Sequence, residues 1–372
     1  MTFFDTIDWG RLPEVLRFER ESPMIFSSGL FLFCALLFLP LYMLLRRTTT
    51  LRIIYVSLFS LFFYYESSGE YVLILLFAAT MDFFIGRAIG RSEDEVYRKR
   101  LLLTSICVNI GMLSYFKYFY FLLDLGQMLL ASLGIATEPA IPLEARDYFI
   151  PAGISFYTFQ TLSYTADIYR REITPLKRWI DYLFYLSFFP QLVAGPIVRA
   201  KDFIPQIYRR PQLLKAEYGE ALTLILSGLV KKAIIGDFIG ANLVDLIFAE
   251  PTRFTGLENL FAVYGYAMQI YCDFSGYSDM AIGIALLLGI RFNTNFDSPY
   301  QSATITEFWR RWHISLSTWL KDYLYISLGG NRRGRVRTYV NLMLTMLLGG
   351  LWHGASGRFI LWGGLHGAAL AV

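Results

Sequence analysis

The stretch Leu342-Met-Leu-Thr-Met-Leu-Leu-Gly-Gly-Leu-Trp-His-Gly-Ala-Ser356 places a histidine, His353, inside a long apolar run. On a helix, Gly349 and Gly350 share a face with His353, because they precede it by one helical turn. Since glycine has no side chain, we expect the imidazole to face open space that a narrow substrate can enter. An ionisable group at membrane depth predicts a functional site. The alternative is a structural histidine that is hydrogen-bonded to a neighbouring helix.

The composition is typical of a membrane protein rather than a soluble one. Of 372 residues, 55% are hydrophobic and 17% are charged, whereas soluble domains contain about 25% charged residues. The net charge of +4 is small, and the basic residues form short clusters between apolar runs. These clusters indicate membrane topology rather than a nucleic-acid surface. We therefore predict contact with the lipid bilayer and no nucleic-acid partner.

The cysteines and the N-terminus exclude two other classes of protein. Cys34, Cys107 and Cys272 are scattered and form no CxxC pair, which argues against a disulfide framework and a structural zinc site. The residues before the first apolar run are acidic, where a cleavable signal peptide would be basic. The predicted organisation is an extracytoplasmic segment, 1–24, followed by one membrane domain, 25–372.

Apolar runs alternate with basic and acidic loops along the first half of the chain. The runs are 25–45, 51–65, 71–89, 101–123 and 149–168. By the positive-inside rule the basic loops are cytoplasmic and the N-terminal segment is outside. The pattern predicts an all-α polytopic membrane protein.

The alternation fails at residues 179–195, a short apolar run that contains Pro190 and has basic loops on both sides. This pattern predicts a re-entrant segment. Irregular backbone at membrane depth is tolerated only where protein or a water-filled cavity covers it, so we expect 188–197, with Pro196, to line a cavity. The alternative is an ordinary span followed by a basic outer loop.

Two carboxylates, Asp273 and Asp279, lie inside the apolar run 260–290. Buried carboxylates are costly unless they are paired. They are expected either to form a polar wall of the cavity or to mark the ends of two helices that meet at Gly276. No metal site is predicted, because no third carboxylate stands at ligand spacing.

Residues 304–307 read Thr-Ile-Thr-Glu, a capping box that predicts the start of a helix. One face of this helix would carry Trp309, Trp312, His313, Leu316, Leu320 and Tyr323. Such an amphipathic helix is expected at the cytoplasmic interface. A buried histidine on it is more often structural than functional, and both possibilities stay open. The basic turn 329–334 is no phosphate loop, because no strand precedes it. The last run, 359–372, ends without a polar flank, which predicts C-terminal truncation.

Four blocks of sequence together resemble the membrane-bound O-acyltransferase family, and within it the bacterial branch of the alginate O-acetyltransferase membrane component. They are FPQLVAGPIVR (189–199), YCDFSGYSDMAIG (271–283), FWRRWHISLS (308–317) and GGLWHG (349–354). The resemblance implies a ring of tilted transmembrane helices around a central funnel, with re-entrant and interfacial helices, in the bacterial cytoplasmic (inner) membrane.

The resemblance also implies roles for particular residues. It makes His353 the catalytic histidine and His313 a second histidine needed for activity, whereas His366 is not carried over. The expected substrate tunnel comprises Gly349, Gly350, Trp352, Trp309, Trp312, Asp273, Asp279 and Pro196.

The implied reaction moves an acyl group, expected to be acetyl, from a cytoplasmic thioester towards hydroxyls of an exported polysaccharide. The donor would be acetyl-CoA or an acyl carrier protein, and a separate outer-face acyltransferase would be the partner. No bound cofactor is predicted. His353 would act as general base, since histidine titrates near pH ~6.5. Lys321, Arg332 and Arg333 are expected either to receive the donor's phosphates or to form a solvated basic turn.

Three other functions remain open from the sequence. A transporter would suit the broken segment and the carboxylates, although such proteins often contain internal repeats and none is visible. A non-catalytic scaffold of a polysaccharide export complex would tolerate loss of His353. An acyltransferase could also serve another acceptor, such as peptidoglycan, teichoic acid or a lipid.

Overall fold

The computed structural model describes residues 17–135, 141–142, 146–147 and 149–371, and within them all regular structure is helical. This confirms the predicted all-α class. The prediction that the N-terminal segment lies outside the membrane depends on acidic residues. Several of them lie outside the described residues: Asp5, Asp8, Glu14, Glu138 and Glu144. The α-helices are α1 Gly29–Leu45, α2 Thr49–Ser68, α3 Val72–Arg91, α4 Glu95–Leu113, α5 Phe119–Ser132, α6 Ile154–Tyr169, α7 Trp179–Ser187, α8 Phe189–Leu192, α9 Ala200–Ile207, α10 Lys215–Leu229, α11 Asp237–Ile239, α12 Asp245–Ala249, α13 Gly256–Leu287, α14 Ile305–Arg311, α15 Ile314–Trp319, α16 Arg335–His353 and α17 Gly357–Ala371.

Among the described residues, two helical segments are long and apolar enough to cross a membrane, Thr49–Arg91 and Glu95–Ser132. The polar stretch between the predicted runs 51–65 and 71–89 forms only a short break in the helix at Gly69, where φ is +60°. The first segment therefore contains both runs. Helix α1 is apolar but shorter. Its Leu36 and Leu44 are 72% and 75% exposed, as suits side chains that contact lipid. The ring and the funnel stay predictions.

The described chain divides into two compact units. The first comprises Met1–Thr80, Leu176–Val193 and Pro205–Ile290, and the second comprises Met81–Pro175, Ala194–Ile204 and Arg291–Val372. Each unit is therefore assembled from segments that are far apart in the sequence. The predicted boundary at residue 24 is not tested by this division.

In the first unit, the predicted break within 179–195 is confirmed, because the chain turns at Phe188 between α7 and α8. These helices have nine and four residues, so at 1.5 Å per residue neither spans a bilayer. Phe189 is buried among the rings of Phe59 and Phe63, with centroid distances of 5.0 and 5.8 Å. Tight aromatic packing thus holds the broken segment, while its re-entrant path and its cavity stay predictions.

The first unit also corrects the interpretation of the paired carboxylates. Helix α13 continues without a break through Gly276, so the expectation that two helices meet there is wrong. Gly276 is instead a point of close helix packing, since a Cβ atom on it would lie 2.7 Å from the carbonyl oxygen of Gly228 in α10. Small residues of this kind let helix backbones approach closely.

A π-helical segment, Val230–Gly236, follows α10 and neutralises both carboxylates of α13. Lys231 Nζ lies 2.6 Å from Asp279 Oδ2, and Lys232 Nζ lies 3.0 Å from Asp273 Oδ1. The carboxylates are therefore tolerated in an apolar helix because each has a cationic partner.

In the second unit, α6 is buried along nearly its whole length. A polar network joins it to α3 and α4: Asp82 accepts hydrogen bonds from Ser105 (2.5 Å) and Asn109 (2.8 Å), and Asn109 accepts one from Thr161 (3.2 Å). Hydrogen bonding between helices satisfies polar groups that water does not reach.

The predicted amphipathic helix from residue 304 is only partly confirmed. Thr304 does cap α14, since its hydroxyl accepts a hydrogen bond from Glu307 N at 3.1 Å. The helix ends at Arg311, however, and His313 adopts a left-handed conformation with φ +41° before α15 begins. A further π-helical turn, Leu320–Tyr325, follows. The single helical face is therefore wrong beyond α14, because a left-handed residue redirects the chain.

The Gly329–Gly334 turn precedes α16 as predicted, and three glycines in it have positive φ angles of 111°, 56° and 83°. These angles are accessible to glycine at little cost. The turn is stabilised from α16 by Asn341, whose amide donates to the carbonyl oxygen of Gly330 at 2.8 Å. The site histidine therefore comes at the far end of a helix whose start is fixed.

Candidate active site

His353 is the last residue of α16 and is half-buried. Its imidazole contacts the rings of Trp352 and Trp362, each with a centroid distance of 5.0 Å, and lies 6.2 Å from Phe359. In the described part of the chain, no group is hydrogen-bonded to this imidazole. The imidazole therefore has no hydrogen-bond partner that would compete with a substrate hydroxyl, and general-base catalysis needs only its one unprotonated nitrogen.

The glycines before His353 do not leave the open space that was expected. A Cβ atom on Gly350 would lie 2.2 Å from the carbonyl oxygen of Phe359, so this glycine permits close packing of α16 against α17. At Gly349 a Cβ atom would lie 3.2 Å from a methyl group of Leu320. The glycines thus position α17, and with it Trp362, beside His353, while their part in a substrate tunnel stays a prediction.

The C-terminal end of α16 is held by two side chains from a π-helical segment, Ser114–Tyr118, between α4 and α5. Lys117 Nζ donates to the carbonyl oxygen of Trp352, and the Tyr118 hydroxyl donates to that of Leu351 at 2.8 Å. The last carbonyl groups of a helix have no partner within the helix, so these bonds supply one. Sequence reasoning missed Lys117, although a lysine inside the apolar run 101–123 was a visible signal.

His313 is fully buried, at 0% exposure, in the bend between α14 and α15. Asn295 organises this bend: its side-chain oxygen lies 3.3 Å from His313 Nδ1 and accepts a hydrogen bond of 2.9 Å from the Ser315 hydroxyl. The same hydroxyl accepts a hydrogen bond of 3.0 Å from the backbone N–H of Ile197, the residue after Pro196. The Pro196 segment is therefore attached directly to the His313 bend.

Trp352 connects the two histidines that the sequence analysis selected. Its ring lies 5.0 Å from that of His353 and 6.1 Å from that of His313, measured between centroids. The indole is fixed by a hydrogen bond of 3.4 Å from its N–H to the carbonyl oxygen of Ser155 and by stacking on Phe159 at 5.5 Å. Two histidines 40 positions apart in sequence thus share one aromatic neighbour.

The third histidine, His366, also belongs to this cluster. Trp309 donates from its indole N–H to His366 Nδ1 at 3.3 Å, and Trp362 lies 4.4 Å from His366 while it contacts His353. Trp309 therefore contacts His366 and Trp362, while its part in a substrate tunnel stays a prediction. Neither His366 nor Trp362 was predicted to belong to the site, because their proximity depends on how α17 packs.

Trp312 lies further from His353. It packs against Phe308 at 5.5 Å and against Phe296 at 5.1 Å, and Phe296 is also 6.2 Å from His313. Trp312 therefore supports the His313 bend through an intervening ring.

A largely apolar cavity of about 370 Å³ lies next to Trp352. Its lining includes Tyr118, Phe159, Trp319, Tyr323, Leu351 and Trp352. At Tyr323, the guanidinium groups of Arg170 and Arg199 lie 5.2 and 5.4 Å from the ring centre. The Tyr323 hydroxyl donates to Asp167 Oδ1 at 2.7 Å. The aromatic wall of the cavity therefore contacts the histidine cluster through Trp352. The same wall contacts the two arginine side chains through Tyr323.

Several predicted residues are not part of this cluster. Asp273 and Asp279 belong to the first unit, where lysines pair with them, whereas both selected histidines belong to the second. Lys321 lies 3.7 Å from Asp322 and is 61% exposed, and Arg332 and Arg333 are exposed. The described residues include no group of three or more histidine, cysteine or acidic side chains that could hold a metal ion.

Comparison with known proteins agrees with the resemblance of the four sequence blocks. The chain is 42% identical over 352 residues to a probable alginate O-acetylase AlgI of Azotobacter vinelandii, covering 94% of this chain and 68% of that protein. It is 34% identical over 394 residues to a peptidoglycan O-acetyltransferase of Helicobacter pylori, with 97% and 72% covered. A teichoic acid D-alanyltransferase of Bacillus subtilis is 32% identical over 228 residues, with 58% and 56% covered.

The chain spans 66–72% of the length of its alginate and peptidoglycan relatives. The sequence profile of the membrane-bound O-acyltransferase family matches residues 29–372, nearly the whole chain. The matched region includes both histidines, Trp352 and the segments that hold them. The chain therefore belongs to the membrane-bound O-acyltransferase family.

Proposed function

We propose that this protein moves an acyl group, in the first instance acetyl, from a cytoplasmic thioester across the inner membrane towards hydroxyls of an exported polysaccharide. The observation that carries the proposal is the arrangement of His313 and His353 around one tryptophan, Trp352, which also lines an apolar cavity. The relatives named as O-acetyltransferases of alginate and peptidoglycan support the class of acceptor.

His353 is the general base. It takes the proton of an acceptor hydroxyl, whose oxygen then bonds to the thioester carbonyl carbon. When the tetrahedral intermediate collapses, the carbon–sulfur bond breaks and the proton passes from the imidazole to the departing thiolate. The products are an ester and a free thiol. His313 is fully buried, and its Nδ1 lies 3.3 Å from the side-chain oxygen of Asn295. Its role is to position Trp352 and the cavity wall next to it.

The donor is a thioester carried by a phosphate-bearing group, acetyl-CoA or an acyl carrier protein. Its arm occupies the cavity next to Trp352, and Arg170 and Arg199 attract the phosphates, because their guanidinium groups are at the cavity's Tyr323 wall. Arg199 is itself paired with Asp322 at 2.7 Å, whereas the described residues form no ion pair with Arg170. The acceptor is reached directly or through a separate outer-face acyltransferase.

The test is the O-acetyl content of exported glycan in cells with the native gene, its deletion and His353→Ala, compared at equal membrane levels. Cys107 is an exposed thiol in the same unit. Cys107→Ala is therefore the control for the effect of a substitution away from the site. We expect acetylation to fall at least about 100-fold in His353→Ala, as for loss of a general base. Full acetylation in His353→Ala, together with none in the deletion, would show that the protein is a conduit or scaffold.

A further inference from the structure

Lys117 is a charged residue within Glu95–Ser132, a segment that is long and apolar enough to cross a membrane. Burying an ammonium group there is costly, and such residues have a functional role by default. Lys117 is also the only charged side chain in the π-helical turn Ser114–Tyr118. Turns of this type are frequent at functional sites because the extra residue redirects the side chains around it.

Most contacts of Lys117 involve Trp352 and its immediate support, and one further contact is with the Tyr118 ring, at 6.0 Å from its centre. The ammonium group donates to the Trp352 carbonyl oxygen and, at 3.2 Å, to the Ser155 hydroxyl. It also lies 5.5 Å from the centre of the Trp352 ring. Ser155 holds the same indole through its own carbonyl oxygen. Lys117 therefore fixes both the backbone and the ring of the residue next to His353.

No carboxylate neutralises this lysine: the acidic side chains of residues 17–135, 141–142, 146–147 and 149–371 make no ion pair with it. Its charge is balanced in part by the C-terminal end of α16, where the helix dipole places about half a negative charge, and by the face of Trp352. A net positive charge therefore remains beside Trp352, the residue that precedes His353. During acyl transfer, negative charge develops on the thioester oxygen and on the departing sulfur, which a nearby cation stabilises.

We propose that Lys117 is a positioning residue for acyl transfer, which orders the last turn of α16 and supplies a positive charge to the site. This inference rests on the proposed function, because it assigns Lys117 a part in the same reaction. The ordering and the charge are separable. Tyr118 donates a hydrogen bond to the adjacent carbonyl oxygen without carrying a charge, so Tyr118→Phe is the matched variant for ordering alone.

The experiment uses inverted membrane vesicles that enclose the glycan acceptor, and acetyl-CoA labelled in the acetyl group is added outside, at the exposed cytoplasmic face. Initial rates of ester formation are measured against acetyl-CoA concentration for Lys117→Gln, Lys117→Arg and Tyr118→Phe. We expect Lys117→Gln to lower kcat about 10- to 30-fold with little change in KM, while Lys117→Arg keeps most of the rate. Lys99→Gln, an exposed lysine of α4, is the control.

A charge role predicts chemical rescue. Lys117→Cys followed by 2-bromoethylamine converts the thiol to an aminoethyl thioether, as the sulfur displaces bromide, and so restores an ammonium group at nearly the same reach. We expect most of the lost kcat to return, while wild-type protein treated in parallel, with its three native cysteines, serves as the control. If Lys117→Gln keeps a kcat within twofold of wild type, or behaves like Tyr118→Phe, the charge role is wrong.

The ordering role is tested without any substrate. Amide hydrogen exchange at residues 350–354 is expected to accelerate in Lys117→Gln and Tyr118→Phe and to stay unchanged in Lys99→Gln. Unchanged exchange in Lys117→Gln would overturn the ordering role. Absence of acetyl transfer in wild-type vesicles would instead contradict the proposed donor, and exchange would still decide whether Lys117 holds the helix end.

Discussion

Lysines occupy widened helical turns in both units, but their charges are balanced in different ways. In the first unit, Lys231 pairs with Asp279, and Lys232 pairs with both Asp237 and Asp273. In the second unit, Lys117 has a helix end, a hydroxyl and an indole instead. The difference means that a partly buried cation paired with a carboxylate adds no net charge to its surroundings, whereas one without such a partner leaves a positive field.

The largest effect on stability is expected from breaking an ion pair in the first unit. Asp279→Asn leaves Lys231 without its carboxylate, and because both side chains are less than one third exposed, we expect a loss of about 2–3 kcal/mol in the free energy of unfolding. Acetyl transfer per folded molecule should be unchanged. The midpoint of thermal unfolding in detergent measures the loss of stability, and the vesicle assay measures acetyl transfer.

Glu220→Gln is the control for this change, since Glu220 is an exposed carboxylate on α10. The double variant Lys231→Met, Asp279→Leu should recover most of the stability, because it removes both charges. A large fall in kcat for Asp279→Asn at normal stability would contradict the contrast between the two units, because it would give the Lys231–Asp279 ion pair a part in catalysis.

A smaller loss is expected where two helices meet at glycine. Gly350→Ala forces a Cβ atom to within 2.2 Å of the Phe359 carbonyl oxygen, so α17 must move, at a cost of about 1–3 kcal/mol. Since α17 carries Trp362, kcat should fall as well. Gly276→Ala in the first unit meets Gly228 in the same manner, but we expect it to lower stability alone.

Gly111→Ala is the matched control for these two changes, because nothing lies within 4 Å of the added methyl group. It should be neutral or stabilising by about 0.5–1 kcal/mol. Thermal midpoints and kcat for the three variants separate packing at the site from packing elsewhere. Equal losses of kcat in Gly276→Ala and Gly350→Ala would contradict the assignment of chemistry to the second unit.

The smallest effect concerns the backbone at His313, whose φ of +41° is unusual for a residue with a side chain. Both His313→Gly and His313→Ala remove the imidazole, and both should lower acetyl transfer. Alanine in the left-handed region costs about 1–2 kcal/mol, which glycine avoids. His313→Gly should therefore unfold at a higher temperature than His313→Ala. Equal midpoints would mean that the bend is relaxed in both variants.

Particular residues show how far the sequence could be interpreted. His353 and His313 were selected from an apolar run and from four short blocks, and the structure brings both against Trp352. The capping threonine, the break near Phe188 and the glycine turn at 329–334 were also correct, because each depends on local backbone chemistry. Of the two alternatives for Asp273 and Asp279, the meeting of two helices at Gly276 is wrong, because α13 is continuous and both carboxylates are paired with lysines.

The sequence by itself determined the all-helical class, the apolar character and the two histidines, because composition, helical periodicity and an ionisable group in an apolar run are local properties. Only the tertiary structure decided that Lys117 holds the end of α16, that Trp362 and His366 join the site, and that Gly350 closes a helix contact. These contacts join residues from different parts of the chain. Their partners depend on which helices pack together, which no local pattern specifies.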